Sequence, residues 1–134
     1  MSLILMSLIT ERQTKRILVV DDVADNVFLA QFVLETQGYQ VNTAESGETA
    51  LALIQTEALK PDLIILDLMM PGINGYEVID RLRNLQDLPY IPVLLMTANQ
   101  DVSCQQAKEA GADRLLYKPF DLEQFLTTVE LFDI

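Results

Sequence analysis

Residues 62–77 read DLIILDLMMPGINGYE, and no other stretch limits the fold of this 134-residue chain so strongly. Residues 63–66 are apolar without alternation, the pattern of a short strand covered on both faces, as in the middle of a parallel sheet. The run ends in a single carboxylate, Asp67, and the turn-forming pairs Pro71-Gly72 and Asn74-Gly75 then send the chain away. Asp67 is therefore expected at the C-terminal mouth of a buried strand. In open α/β sheets ligands bind outside the carboxyl ends of the strands, so a lone charged side chain there marks a candidate site.

The rest of the chain repeats that unit. Residues 17–20 form a second short apolar run, ending in Asp21 and Asp22. A mostly apolar helix is predicted over about 25–37, with Gly38 at its C-terminal cap. A strand over 39–44 follows. Ser46 then caps a helix that places Ala50, Leu53, Ile54 and Ala58 on one face, and Pro61 stops it. After the Asp67 strand, Asn74 and Glu77 have the spacing of a capping box for a helix through Val78, Ile79, Leu82 and Leu85. Residues 92–97 read as a fourth strand. A weaker, polar helix is predicted over 101–110, burying Val102, Ala107 and Ala110 and ending at Gly111. The fifth strand, 115–117, closes at Lys118-Pro119. The last helix is the best specified: Asp121 caps it with Gln124 at the capping-box position, Phe120 staples to Phe125, and Leu122, Phe125, Leu126, Val129 and Phe132 form its stripe.

Five strand–helix units in series imply a doubly wound, five-stranded parallel sheet of the flavodoxin-like (βα)5 kind, since right-handed crossovers cover both faces. In the strand order 2-1-3-4-5 the reversal falls between the first and third strands, which brings Asp21 and Asp22 beside Asp67. Three carboxylates at one mouth repel one another unless a cation joins them. A hard cation with oxygen ligands and retained waters, Mg²⁺ above all, meets that need.

Composition narrows the partners. Twenty acidic against nine basic residues give a net charge of −11, which argues against direct contact with nucleic acid or an acidic membrane. One cysteine, Cys104, allows no intrachain disulfide and fits a reducing, cytoplasmic setting. The opening MSLILMSLI is apolar but too short to span a bilayer. Residues 1–14 are expected to be a disordered or cloning-derived leader, with Met6 as an alternative start, and residues 15–134 a single soluble domain.

Taken together, VVDD at 19–22, the Asp67 strand with its PGINGYE sequel, Thr97-Ala98 and Lys118-Pro119 resemble the receiver domain of two-component response regulators. The resemblance covers about residues 15–133, in order and at matching spacings. It implies that Asp67 accepts a phosphoryl group. Asp22, Asp67 and the Met69 backbone carbonyl would ligate Mg²⁺, and Asp21 would assist through water. Thr97 and Lys118 would bind the phosphoryl oxygens, and a cis Lys118-Pro119 bond is implied as well. The implied partners are a histidine kinase or histidine phosphotransfer protein, then a downstream effector or a second copy through the 101–132 face. The implied role is signalling rather than enzymatic turnover.

The chemistry of the residues fits those roles. A carboxylate attacks phosphorus once charge on the transferring group is neutralised and the partners are aligned. The chain has no histidine, so the phosphodonor must be another molecule. Two other classes are weaker. A phosphohydrolase of the haloacid dehalogenase type needs a second Asp two residues after the nucleophile, where this chain has Met69. A flavodoxin-like electron carrier needs a phosphate loop after its first strand, where Asp21 and Asp22 would repel a flavin phosphate. Within the receiver class, a stand-alone phosphoryl shuttle and a receiver cut from a hybrid kinase or longer regulator both stay open. One departure from the family bears on switching: Leu115 stands where many receivers carry a mobile aromatic. Tyr117, on the same strand face, is the alternative gate, and a weak switch is the favoured expectation.

Overall fold

The computed structural model describes residues 14–134, so the predicted leader, apart from Thr14, lies outside the described residues. Five strands, β1 (Arg16–Val20), β2 (Gln40–Ala44), β3 (Leu63–Asp67), β4 (Val93–Thr97) and β5 (Arg114–Tyr117), alternate with five helices. These are α1 (Ala24–Thr36), α2 (Gly47–Gln55), α3 (Gly75–Arg83), α4 (Cys104–Glu109) and α5 (Leu122–Glu130). All strand pairs are parallel, and the order is β2-β1-β3-β4-β5 as expected. Among the described residues no helix is long and apolar enough to cross a membrane.

The central strands lack polar alternation because both of their faces are covered. Leu18, Val20, Ile64, Leu66, Val93 and Leu95 pack against Ala50 and Ile54 of α2, Val78, Ile79 and Leu82 of α3, and Ala107 of α4. Their neighbours Ile17, Val19, Leu63, Ile65, Leu94 and Met96 pack against Val33 and Leu34 of α1 and Phe125 and Val129 of α5. Each such aliphatic side chain contributes roughly 1.5–3 kcal/mol by leaving water, so the sheet is a rigid platform for whatever stands at its edge.

Caps set most helix starts. The Ser46 hydroxyl accepts the Thr49 N–H at 3.1 Å. Asn74 and Glu77 form the predicted reciprocal capping box. The Asp121 carboxylate accepts the Gln124 N–H at 2.7 Å, and Phe120 stacks on Phe125 with ring centroids 5.5 Å apart. A cap of this kind is worth about 1 kcal/mol.

Three local expectations are corrected. Helix α2 stops at Gln55, and Ala58 lies beyond it, exposed, at φ 54°; Leu59 turns inward instead. Helix α4 begins at Cys104 rather than at 101, because Ser103 and Gln106 make a capping box that fixes its first turn. Val102 is still buried, but from the preceding loop. Leu122 is 45% exposed and borders an apolar cleft of about 300 Å³ between α1 and α5 instead of joining the core.

At the N-terminal end of the sheet, Arg83 ties three segments together. Its guanidinium donates to the carbonyls of Ile91 (2.6 Å) and Gly111 (2.8 Å), to the Tyr90 hydroxyl (3.1 Å) and to Asp113 (3.2 Å). The guanidinium carbon also lies 4.2 Å from the centroid of the Tyr90 ring. Asp113 is fully engaged in turn, accepting the Tyr90 hydroxyl at 2.6 Å and the Val93 N–H at 2.8 Å.

Candidate functional site

Pairing of Val20 with Leu66 aligns the ends of β1 and β3, so Asp21, the next residue, stands beside Asp67. Carboxylate oxygens of Asp21, Asp22 and Asp67 all lie within 4.8 Å of one another. Asp21 and Asp67 are buried, and Asp22 is exposed at the rim. Gly75 explains how α3 starts so close to this point. A Cβ there would lie 2.8 Å from Leu68 Cα and 2.9 Å from the Asp67 carbonyl oxygen, so a side chain would push the helix off the strand end.

Lys118 reaches in from the end of β5. Its backbone N–H bonds the Thr97 carbonyl at 2.8 Å, which continues the β4–β5 ladder by one residue. The ammonium then lies 3.3 Å from Asp21 and 3.5 Å from Asp67, bridging the two buried carboxylates. The Lys118-Pro119 bond is cis. Thr97 is completely buried, and its hydroxyl accepts the Asn99 N–H at 3.0 Å. Met69 follows two residues after Asp67 on the β3–α3 loop, with its side chain 64% exposed. Asp21, Asp22, Asp67 and Lys118 are thus brought together, with Met69 on the adjoining loop and Thr97 at the end of the neighbouring strand.

Burial pushes the Asp67 carboxyl above the ordinary carboxylate range. The Lys118 ammonium pulls it back, the Asp21 charge pushes it up again, and hydrogen bonds from Lys118 and the Met69 backbone lower it. The group is held between opposing influences. Three carboxylates face one ammonium, so the cluster carries an uncompensated charge of two when all are ionised. Hard oxygen donors, two buried and one free to turn at the rim, suit a divalent cation of Mg²⁺ type.

Asn26 is the one polar neighbour that sequence reasoning missed. Its amide donates to Asp21 at 3.2 Å, while the Val23 N–H donates to the other oxygen at 3.0 Å. The Val23 contact is a local Asx turn, whereas the Asn26 contact depends on how α1 leaves the strand end.

The structure thus combines a doubly wound parallel sheet, a carboxylate cluster at its switch point and a lysine at the end of the last strand. Residues 17–130 match the response regulator receiver domain, and the chain belongs to that family. It is 46% identical over 107 residues to the alkaline phosphatase synthesis transcriptional regulatory protein PhoP of Bacillus subtilis, a match covering 79% of this chain and 43% of PhoP. The chain spans less than half the length of the curated relatives PhoP, PleD and RpaA. Among solved structures, the chemotaxis response regulator CheY4 of Vibrio cholerae superposes with a TM-score of 0.79 at 31% identity, covering 89% of this chain and 98% of that one. Response regulator TrrA of Thermotoga maritima, in complex with Mg²⁺-BeF, gives 0.75 at 35% identity, covering 88% and 98%. Receiver domains of this family are signalling components of two-component systems.

Proposed function

We propose that residues 15–134 are a phosphoacceptor receiver domain, cytoplasmic, that takes a phosphoryl group onto Asp67 from a histidine kinase or histidine phosphotransfer protein. The observation that carries this reading is the position of the Lys118 ammonium, 3.3 Å from Asp21 and 3.5 Å from Asp67 at the mouth between β1 and β3. An Asp67 oxygen forms the new bond to phosphorus as the phosphorus–nitrogen bond of the donor breaks. The electron pair of that bond returns to the donor imidazole. Lys118, already beside Asp67, neutralises charge on the transferred group. The Thr97 hydroxyl accepts the Asn99 N–H, so its own proton is left to donate to a phosphoryl oxygen. Asp22, Asp67 and the Met69 carbonyl would hold Mg²⁺, with Asp21 assisting through water. When bound, the ion supplies positive charge to the phosphoryl oxygens.

Because transfer depends on positioning and charge, a small donor should replace the kinase. Acetyl phosphate with Mg²⁺ is expected to add one acid-labile phosphoryl group by intact mass, and Asp67→Asn to add none. Equal labelling of that variant would overturn the assignment.

A further inference from the structure

The loop between β3 and α3 carries Met69 and must hold its backbone in place beside Asp67. Its two ends are tied by main-chain bonds: the Leu68 N–H to the Met96 carbonyl, and the Gly75 N–H to the Leu68 carbonyl, both at 2.8 Å. Between those ends a contact comes from a helix that otherwise takes no part in the site. The Glu48 carboxylate, in the first turn of α2, accepts the Ile73 N–H at 3.0 Å. Among the described residues no other side chain beyond Asp67 itself gives the backbone N–H groups of 68–73 a bond from outside the loop.

The surrounding residues are shaped to this contact. Gly72 has φ +78°, and a Cβ there would stand 3.0 and 3.1 Å from the two Glu48 carboxylate oxygens. Gly47, just before Glu48, lets α2 close on the loop: a Cβ would fall 2.7 Å from Ile73 Cγ1 and 2.4 Å from Val78 Cγ2. Glu48 is exposed, so burial does not explain its placement. Its charge also suits the N-terminal end of α2, which keeps the carboxylate on that side.

We infer that Glu48 is a positioning residue for the phosphorylation site, fixing the 68–73 loop so that the Met69 carbonyl is set for the cation before it arrives. The inference rests on the receiver reading given above. A loop ordered beforehand costs less to organise on binding, so the effect belongs in cation affinity rather than in the final phosphorylated state.

The test compares wild type, Glu48→Ala and Glu48→Gln. Amide hydrogen exchange is measured without metal, and Mg²⁺ is titrated against melting temperature. In Glu48→Ala the Ile73 amide should exchange about tenfold faster, the equivalent of one charge-assisted hydrogen bond, and the Mg²⁺ midpoint should rise about three- to tenfold. Glu48→Gln keeps an acceptor and should bring both values back to within about twofold of wild type. Labelling by acetyl phosphate at saturating Mg²⁺ should be the same in all three. Unchanged Ile73 exchange in Glu48→Ala, an unchanged midpoint despite faster exchange, or a Gln variant that behaves like Ala would each overturn the inference. A wild type that neither responds to Mg²⁺ nor takes up phosphate would overturn the receiver reading with it.

Discussion

At one end of the sheet Arg83 faces a single carboxylate, Asp113, and each makes several hydrogen bonds; at the other, Lys118 faces Asp21 and Asp67 with Asp22 beside them. The first arrangement is closed. Charges match, the planar guanidinium is stacked on Tyr90, and carbonyl groups of two loops take its remaining protons. The second is left short of positive charge in a partly buried place. A fold that merely needed a salt bridge at that point would not retain three acids for one base. The difference separates a contact that stabilises the chain from one that keeps a site ready for a ligand.

The closed end gives the largest expected effect on stability. Arg83→Ala should cost about 2–3 kcal/mol, because it takes the donor from two carbonyls and the counter-charge from Asp113, and lower the Tm by roughly 10 °C. Acetyl phosphate labelling at a temperature well below that transition should be unchanged. A variant that lost labelling while remaining folded would break the separation of the two ends.

A smaller effect is expected between the two ends, at α4. The Tyr117 hydroxyl donates to the Val102 carbonyl just before that helix, so the aromatic that stands near the departed switch position serves as a latch. Tyr117→Phe should lower stability by about 1 kcal/mol. Beryllofluoride with Mg²⁺ should produce only small amide shifts over 101–117 in the wild-type chain and larger shifts near Asp22, Asp67 and Lys118. The latched helix has no mobile aromatic at Leu115 to drive it. Large shifts throughout 101–117 would show a strong switch and refute the weak one.

How much of this was legible in the sequence follows from the range of the interactions. Buried strands ended by Asp21, Asp67 and Thr97 were readable because an unbroken apolar run and its polar stop are local features. Crossover handedness put helices on both faces of a parallel sheet; it does not by itself select the order β2-β1-β3-β4-β5. The capping box of α4 is also a local signal, since Ser103 and Gln106 have its spacing and set the start at Cys104. Ala58 was misplaced because nothing local distinguishes a left-handed alanine from a helical one; the turn back toward β3 imposes it. Helix α1 is apolar nearly all round, so its periodicity could not say that Phe28, Leu29 and Phe32 would stay exposed. Asn26, Glu48, Arg83 and Asp113 were invisible as partners, because each bond requires two elements to be docked first.

The central claim, that the acidic mouth is held short of charge for a cation, is tested most directly by melting wild type and Asp22→Ala across a Mg²⁺ titration. Without metal, Asp22→Ala should melt about 3 °C above wild type, since it removes one of three repelling charges. Mg²⁺ should raise the wild-type Tm progressively by mass action and leave the variant nearly unmoved. Equal Mg²⁺ shifts in both proteins, with no gain for the metal-free variant, would contradict the account.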